Sequence, residues 1–382
     1  MIRAFLSSRN IEHKVINVKI LYVTTIGGTM RFFRTLAREL IEDGHTFEIA
    51  ANTKTSPVRP EYYEMDCQVH NISCSRSPLS KNNFKAYKQL KKLIDENEYD
   101  IVHCHTPVAA MLTRLAARRA RKKGTKVIYT AHGFHFYKGA PKKNWLIYFP
   151  IEWFCAFFTD VLININKDDY KFATKHIKAK KVEYVPGVGI DTSLFKRDWK
   201  AGARIREELG IPNDAKLLLS VGEINENKNH KCVINAIENL DVYYIIAGKG
   251  PKDKELQALI DAKGMTERVK LLGFRSDVAD LYSAADAFVF PSFREGLPVS
   301  VMEAMATGLP VVCSKIRGSI DLVDYNGGEH FDPHSSESCK KALETLLLRD
   351  LEPIGEYNKQ KVCEFNYETV NKKMKEIYFG GA

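Results

Sequence analysis

Residues 290–308 read Phe290-Pro-Ser-Phe-Arg-Glu-Gly-Leu-Pro-Val-Ser-Val-Met-Glu-Ala-Met-Ala-Thr-Gly308, and this stretch decides how we interpret the fold. The apolar run 287–290 is typical of the end of a buried strand. Pro298 suits the first turn of a helix, and Gly308 is a typical helix stop. The pattern therefore predicts a strand, a loop that carries one carboxylate (Glu295) and an α-helix.

Three polar residues recur in the predicted helix at spacings of three and four: Ser300, Glu303 and Thr307. The other side chains are apolar, so Glu303 lies on a narrow polar stripe. Glu295 precedes the helix N-terminus, where backbone N–H groups and the helix dipole favour an anionic ligand group. These arguments alone favour the simpler interpretation, in which the stripe faces water and Glu295 only favours the start of the helix.

Strands and helices alternate along the chain. A strand is predicted at 18–25, followed by a helix at 32–44 and a strand at 46–51, and further strands follow at 100–105 and 126–131. Such alternation predicts an α/β protein with parallel sheets, whose ligands gather at the carboxyl ends of the strands. The chain of 382 residues is long enough for two domains, each with a full core.

Basic residues are concentrated in the first half of the chain. Residues 1–190 contain 31 Lys and Arg against 17 Asp and Glu, whereas residues 191–382 contain 26 against 30. The window 101–150 holds ten basic residues and no acidic one. This asymmetry predicts an anionic partner, which is nucleic acid, an acidic membrane surface or a phosphorylated acceptor. A solvated helix face is the alternative for residues 114–123.

The cysteines and the hydropathy argue against several classes of protein. The eight Cys residues are scattered, without a Cys-x-x-Cys pair or His at zinc-ligand spacing, so we expect neither a disulfide framework nor a metal site. The most apolar window, 145–161, contains Pro150, Glu152 and Asp160, so no transmembrane helix is expected. We expect a cytoplasmic protein without a signal peptide, and residues 1–17 are interpreted as a disordered arm or an upstream extension.

The motif E-G-L-P-x-x-x-M-E-A-M-A-x-G-x-P-V-V, which contains Glu295 and Glu303, resembles the paired-glutamate signature of retaining glycosyltransferases of family 4. The resemblance covers about residues 18–379. It implies GT-B architecture, with two Rossmann-like parallel-sheet domains that face each other across a cleft. It also implies that Glu295 contacts the donor sugar and that Glu303 binds the ribose hydroxyls, because a carboxylate accepts two O–H donors at once.

The resemblance also implies three segments and a set of donor-binding residues. An acceptor-side domain spans 1–186, a nucleotide-sugar domain spans 187–365, and a helix at 366–382 crosses back to the first domain. The donor set is Gly27, Gly28, Gly222, Lys228, Gly248, Gly250, Phe274, Gly296, Leu297, Pro298 and Glu303. Lys228 would neutralise the diphosphate together with backbone N–H groups. The family commonly has arginine where this chain has Glu223, so one expected positive contact is missing.

Histidines follow two strands of the predicted first sheet. A lone histidine is more often structural than catalytic. His132, however, precedes a glycine at a strand end and is similar to the histidine that family 4 enzymes place against the donor sugar, so we expect it to act with Glu295. The run H-G-F-H-F-Y-K-G-A-P-K-K-N-W resembles members that act in polysaccharide assembly. His105, His135 and Lys138 are the acceptor-side candidates.

The resemblance implies transfer of a sugar, with retention of configuration, from a nucleotide diphosphate sugar to a saccharide. The expected donor is a UDP-sugar, and the expected acceptor is lipid-linked. Fixed charges and dipoles would stabilise the leaving diphosphate, so no cofactor and no metal ion is expected. Expected partners are the nucleotide sugar, the acceptor and an anionic surface on the inner face of the membrane, but not nucleic acid. Two alternatives stay open: a nucleotide-sugar 2-epimerase of the same fold, and a catalytically silent nucleotide-binding subunit, which Glu223 suggests.

Overall fold

The structure is a computed structural model that describes residues 17–380. The interpretation of residues 1–17 as an arm therefore falls almost entirely outside the described part of the chain. The strands are β1 (Lys19–Ile26), β2 (Thr46–Asn52), β3 (Gln68–Asn71), β4 (Ile101–His105), β5 (Lys126–Ala131), β6 (Val161–Asn164), β7 (Lys181–Tyr184), β8 (Leu217–Val221), β9 (Tyr243–Ala247), β10 (Val269–Gly273), β11 (Ala287–Phe290), β12 (Val311–Ser314) and β13 (Gly328–Phe331).

Helices connect most of the strands. They are α1 (Arg34–Glu42), α2 (Pro60–Glu64), α3 (Asn82–Asn97), α4 (Pro107–Ala116), α5 (Arg118–Lys122), α6 (Lys142–Ala156), α7 (Lys167–His176), α8 (Trp199–Leu209), α9 (His230–Ala236), α10 (Asp253–Ala262), α11 (Val278–Ala284), α12 (Val299–Thr307), α13 (Ser319–Leu322), α14 (Ser336–Leu347), α15 (Leu351–Lys361) and α16 (Tyr367–Phe379). The strand–helix alternation predicted from the sequence is confirmed.

The strands form two sheets. The seven-stranded sheet has the order β3-β2-β1-β4-β5-β6-β7, and the six-stranded sheet has the order β10-β9-β8-β11-β12-β13. The pairs β1–β2, β1–β4, β8–β9 and β8–β11 are parallel. In each sheet the chain order reverses beside one strand, β1 or β8, and ligands of such sheets bind where the loops after the two diverging strands separate. The predicted α/β fold with two Rossmann-like sheets is confirmed.

Strand β11 shows why the second sheet is buried on both faces. Its four residues are at most 2% exposed. Phe288 and Phe290 pack into one apolar cluster, whereas Ala287 and Val289 pack into a second cluster. Successive side chains of a strand point to opposite faces of the sheet, which explains this division. A parallel sheet that is covered on both faces therefore needs apolar residues at successive positions.

Packing divides the chain into two compact units. One contains the residues up to Tyr129 together with Phe158–Asp160, and the other contains Thr130–Phe157 and the chain from Val161 onwards. The domain boundaries expected from the sequence, 1–186, 187–365 and 366–382, remain predictions. Within the second unit, Lys373 Nζ of α16 lies 4.0 Å from Glu183 Oε2 of β7.

Some elements differ from the sequence-based expectations. The helix predicted at 32–44 is α1, which begins only at Arg34. A 3₁₀ turn at Gly27–Phe32 precedes it, in which the Met30 carbonyl accepts from Phe33 N and from the Tyr62 hydroxyl. The basic helix that we predicted to run to residue 123 is two helices, α4 and α5. The short strand β3 was missed because its sequence, Gln-Val-His-Asn, lacks an apolar period.

Helix α6 is more exposed than its composition suggests. The helical spacing of the apolar residues in 145–158 predicts that this stretch belongs to the core. Instead, Glu152, Cys155 and Ala156 are buried, while Leu146, Ile147 and Trp153 are exposed. The prediction is wrong for these side chains because apolar residues are spread around most of α6, so their spacing does not single out the buried face. No helix in residues 17–380 is long and apolar enough to cross a membrane.

Candidate active site

The loop between β11 and α12 is the centre of the candidate site. Pro298 is the N-cap of α12, so the helix begins at Val299, and Gly308 ends it in the left-handed conformation with φ 84°. Glycine adopts this conformation without the steric cost that other residues carry. The strand, loop and helix predicted from 290–308 are confirmed, and they place Glu295 beyond the carboxyl end of β11.

Glu303 is held in α12 by a buried tyrosine. The Tyr282 hydroxyl donates to Glu303 Oε2 at 2.9 Å and lies 3.1 Å from the Ser300 carbonyl oxygen. Burial, together with the adjacent Glu303 carboxylate, raises the pKa of Tyr282 well above its ordinary value, so the hydroxyl stays a donor. Thr307 is fully buried. The interpretation of the polar stripe as a water-facing surface is therefore wrong at Thr307, and Glu303 is only partly exposed.

Glu295 forms an ion pair with Lys228. Lys228 Nζ lies 2.9 Å from Glu295 Oε1, and the Asn227 side chain donates to the same oxygen at 3.3 Å. Asn227 also binds the Arg294 carbonyl oxygen at 3.0 Å. The loop after β8 thereby contacts the loop after β11, and two predicted donor-site residues lie side by side.

Asparagine side chains shape the turn that carries Lys228. Asn225 accepts from Lys228 N at 3.0 Å, which caps a 3₁₀ turn at Glu226–Lys228. Asn229 takes the left-handed conformation with φ 52°, which asparagine tolerates better than most residues, and its amide donates to the Pro291 carbonyl. Lys228 therefore projects from a turn fixed by local hydrogen bonds.

The predicted glycine Gly248 is required by a close backbone approach. Gly222 N donates to the Ala247 carbonyl oxygen at 3.0 Å, and a Cβ placed on Gly248 would lie 1.7 Å from Gly222 O. Any side chain at Gly248 would therefore force apart the loops that follow β8 and β9. Phe274, which follows β10, is exposed, whereas Leu297 and Pro298 are buried.

The loop that carries His132 and the loop that carries Glu295 meet at Gly296. A Cβ on Gly296 would lie 1.9 Å from the His132 carbonyl oxygen, so the backbones of the two loops touch where only glycine fits. Burial lowers the pKa of His132 to about 4. Burial also lowers the pKa of His135 to about 4, with help from the positive charges of Arg294 and Arg317. Both imidazoles are therefore neutral near pH 7.

A buried ion pair supports the histidine loop. Arg317 Nη1 lies 2.5 Å from Asp169 Oδ1, and both side chains are less than 10% exposed. Asp169 also accepts from Phe134 N at 2.9 Å, while Arg317 donates to Phe134 O and its guanidinium lies 4.5 Å from the centre of the Tyr137 ring. We missed this pair in the sequence. Its signal is a charged residue, Arg317, placed soon after the apolar strand β12 and directly before a glycine.

A cavity of 810 Å³ lies beside this ion pair within the second unit. Aromatic residues form part of its wall, namely Phe136, Tyr137, Trp145, Phe172 and Phe293, and cationic residues form another part, namely Lys138, Arg294, Lys315 and Arg317. Lys138 is thus placed on the cavity as an acceptor-side candidate. His135 instead packs against Tyr148, with ring centroids 4.6 Å apart.

Three predicted site residues belong to the first unit. Gly27 N donates to Ser56 O at 3.0 Å, and a Cβ on Gly28 would lie 2.6 Å from Ser56 Oγ. His105 is fully buried, and its ring packs 4.5 Å from that of Phe33. This placement gives no support for a direct contact between His105 and a saccharide. The roles of Gly27 and Gly28 remain predictions.

Comparison with known proteins identifies the family. Residues 26–194 match the family described as Glycosyltransferase Family 4, and residues 203–361 match the family described as Glycosyl transferases group 1. The sequence is 35% identical to a Bacillus subtilis (strain 168) protein named as the glycosyltransferase EpsD, over 94% of this chain and 96% of that protein. The chain belongs to glycosyltransferase family 4.

One further relative of this family 4 enzyme and one solved structure of similar fold are informative. It is 32% identical to the Escherichia coli UDP-Gal:alpha-D-GlcNAc-diphosphoundecaprenol alpha-1,3-galactosyltransferase, over 65% of this chain and 66% of that protein. Its fold is similar to that of Anabaena HepE, solved in complex with UDP and glucose, with a TM-score of 0.77 and 20% identity over 94% of this chain and 99% of HepE. The family 4 enzyme is a glycosyltransferase with the GT-B fold, as the paired-glutamate motif predicted.

The family assignment leaves the chemistry of individual residues to be tested. Within residues 17–380, no group of three or more His, Cys, Asp or Glu side chains could hold a metal ion. Metal independence stays a prediction, as do the roles assigned to Glu295, Glu303, His132 and Lys228.

Proposed function

We propose that this family 4 enzyme transfers a sugar from a UDP-sugar to a lipid-linked saccharide, with retention of configuration, during assembly of a cell-surface polysaccharide. The observation that carries the proposal is the contact of Glu295 with Lys228 where the loops after β8 and β11 meet. Parallel sheets bind ligands at such loops beyond the carboxyl ends of their strands. The Escherichia coli relative, whose name specifies UDP-Gal and a diphosphoundecaprenol acceptor, supports this donor and acceptor class.

The donor is proposed to lie along the second sheet. Glu303 would bind the ribose hydroxyls, because the Tyr282 hydroxyl bond fixes the carboxylate while leaving acceptor capacity on it. Lys228 and the N-terminal end of α12 would stabilise the diphosphate. Glu223 is exposed and adds no positive charge to this set.

The reaction proposed at this site needs charge stabilisation more than proton transfer to the protein. Neutral His132 can exchange hydrogen bonds with a sugar hydroxyl without adding a cation, and Glu295 can accept from another hydroxyl. Lys228 and backbone N–H groups would stabilise the leaving diphosphate in place of a metal ion. The acceptor oxygen would attack the face from which the diphosphate leaves, without a covalent enzyme intermediate.

A peripheral position on an anionic membrane is part of the proposal. Five large apolar side chains on or directly after α6 are exposed: Leu146, Ile147, Trp153, Phe154 and Phe157. Lys142 and Lys143 are exposed at the start of the same helix. Exposed aromatic and aliphatic side chains beside lysines suit the boundary between anionic headgroups and acyl chains.

The test is incubation of the full chain with UDP-sugars in the presence and absence of a synthetic diphosphate-lipid-linked N-acetylglucosamine acceptor. We expect UDP release that depends on the acceptor, and proton NMR of the product should show the anomeric configuration of the donor. Conversion of the donor without acceptor would indicate a 2-epimerase. Binding of UDP without consumption of any donor would indicate a silent subunit. Inversion at the anomeric carbon would refute retention.

A further inference from the structure

The 810 Å³ cavity has a rigid aromatic wall. Trp145 of α6 donates from Nε1 to the Tyr137 carbonyl oxygen at 3.2 Å, and its ring lies 5.6 Å from that of Phe136 and 5.7 Å from that of Phe172. Edge and tilted contacts of this kind lock the orientation of each ring. The wall is therefore preformed, as is usual for small-molecule sites.

The same cavity carries an excess of positive charge. Lys138, Arg294 and Lys315 line it, and within residues 17–380 none of the three forms an ion pair. The guanidinium of Arg317 is neutralised by Asp169, which leaves Asp168 as the carboxylate on the lining without a cationic partner in the same residue range. Three cations against one carboxylate favour an anionic ligand group.

The cavity lining does not include the lysine proposed to bind the donor diphosphate. Lys228 does not line the cavity but pairs with Glu295, whereas Arg294, the residue before Glu295, does line it. The cavity thus borders the loop that carries Glu295, the residue expected at the donor sugar, and Lys228 is not part of its lining. Helix α6 contributes Trp145 to the wall, and the neighbouring Leu146 is 78% exposed.

We infer that this cavity binds the phosphate or diphosphate group of the acceptor. Lys138, Arg294 and Lys315 neutralise the phosphate oxygens, and the aromatic wall contacts the apolar atoms next to them. The saccharide end of the acceptor then points towards Glu295, and the lipid end leaves the cavity along the exposed face of α6. This inference rests on the proposed function, since it names the residues that recognise the acceptor at the same site.

The experiment is isothermal titration of the full chain with farnesyl diphosphate, inorganic pyrophosphate and farnesol, each with and without saturating UDP. We expect farnesyl diphosphate to bind equally well with UDP present, and farnesol to bind at least about tenfold more weakly, because a charge-assisted phosphate contact is stronger than a neutral one. Pyrophosphate binding that weakens when Lys138 and Lys315 are changed to Glu would also support the site. Displacement of farnesyl diphosphate by UDP would assign the cavity to the donor and overturn the inference.

Charge reversal tests the named residues. Lys138→Glu combined with Lys315→Glu should weaken farnesyl diphosphate binding by at least about tenfold and leave UDP binding within about twofold of wild type. Both lysines are exposed, so the variant is expected to fold, and circular dichroism checks this. The matched control is Lys254→Glu, which reverses an exposed lysine of α10 outside the cavity lining. Unchanged binding in the double variant would overturn the inference.

Transfer assays separate this inference from the proposed function. With diphosphate-linked acceptors, the double variant should raise the acceptor KM by at least about tenfold, while KM for a neutral alkyl glycoside stays the same. If the double variant has the wild-type KM for the diphosphate-linked acceptor as well as for the neutral one, the phosphate site is refuted and the transferase function still stands. If farnesyl diphosphate binding depends on the two lysines but no UDP-sugar supports transfer, the phosphate site is supported and the proposed transferase function is refuted.

Discussion

Lys228 Nζ lies 2.9 Å from Glu295 Oε1, so the cation expected at the donor diphosphate is paired with the carboxylate expected at the donor sugar. Both side chains are about one-fifth exposed, at 19% and 21%. A donor diphosphate would compete with Glu295 for the ammonium, because phosphate oxygens are strong acceptors for lysine. The two residues are therefore coupled, and changing one alters the charge that the other presents to the donor.

This pairing leads to a first prediction. Glu295→Ala should mainly lower kcat, because it removes a contact to the sugar at which the bond breaks. Lys228→Met should also lower kcat, because the charge that it removes stabilises the leaving diphosphate. The measurements are kcat and KM with a varied UDP-sugar. Because the residues touch, the double variant should lose less than the sum of the two single losses in transition-state free energy. Strict additivity would contradict the coupling.

The second prediction concerns Glu303, which we expect to bind the ribose. Glu303→Ala should raise KM for the nucleotide sugar with a smaller effect on kcat, since the ribose stays bound throughout the reaction. Tyr282→Phe is the matched variant, because it removes the hydroxyl that holds Glu303 and keeps the carboxylate. It should raise KM by less than Glu303→Ala does. Equal and small effects of Glu295→Ala and Glu303→Ala on both parameters would argue against roles for either residue.

Metal removal provides the third prediction. Saturating EDTA should leave the transfer rate within about a factor of two, because fixed positive groups replace a cation at the leaving diphosphate. The rate is followed as UDP release from enzyme dialysed with and without EDTA. Loss of activity that Mg²⁺ restores would show that Lys228 and the backbone N–H groups are insufficient.

The fourth prediction is a pH dependence of stability that involves His135. Its pKa is lowered to about 4 in the folded protein, from an ordinary value of 6.5, mainly by burial. The folded state therefore binds fewer protons than the unfolded state, and stability rises with pH in this range. The contribution is fully present above about pH 6.5 and is lost as the pH falls through about 4.

Urea unfolding of wild type and His135→Gln at several pH values between 7 and 4 measures this contribution. Both proteins share the titration of every other group, so the difference between their free energies of unfolding isolates His135. We expect wild type to lose stability faster than His135→Gln on acidification. Parallel loss in the two proteins would show that His135 does not titrate abnormally.

The fifth prediction concerns membrane binding. The full chain should sediment with vesicles containing anionic lipid at low salt, because each basic residue near such a surface contributes about 1 kcal/mol. Binding should weaken in 1 M salt, where the Debye length falls from about 10 Å at 0.1 M to about 3 Å. At low salt, the double variant Ile147→Ser, Trp153→Ser should bind these vesicles more weakly than wild type does, because both apolar side chains are exposed on α6.

The control for this experiment is Leu348→Ser. Leu348 is 90% exposed and lies directly after α14, so the change alters exposed apolar surface that is not part of α6. Its vesicle binding should match that of wild type. Equal sedimentation with neutral and anionic vesicles would refute recognition of anionic lipid, and an effect of Leu348→Ser as large as that of the α6 variant would remove α6 as the specific contact.

Local sequence signals are sufficient to predict the strand, loop and helix around Glu295. An apolar run, a proline before the first turn and Gly308 after the last turn act on neighbouring residues, so their effect does not depend on the rest of the chain. The alternation of strands and helices likewise implied parallel sheets. The paired glutamates also pointed to the family, since both lie within one short motif.

The contacts between residues that are distant in sequence are visible only in the folded chain. Arg317 and Asp169 are separated by 148 positions, and their pairing supports the loop that carries His132. The Tyr282 hydroxyl of α11 donates to Glu303 of α12. Likewise, which apolar side chains of α6 are exposed is known only from the folded structure. No local pattern encodes these relationships, because burial and pairing depend on the surfaces that the folded chain brings into contact. For the same reason, the cavity emerges only from the packed structure, as do its three cations that form no ion pair within residues 17–380.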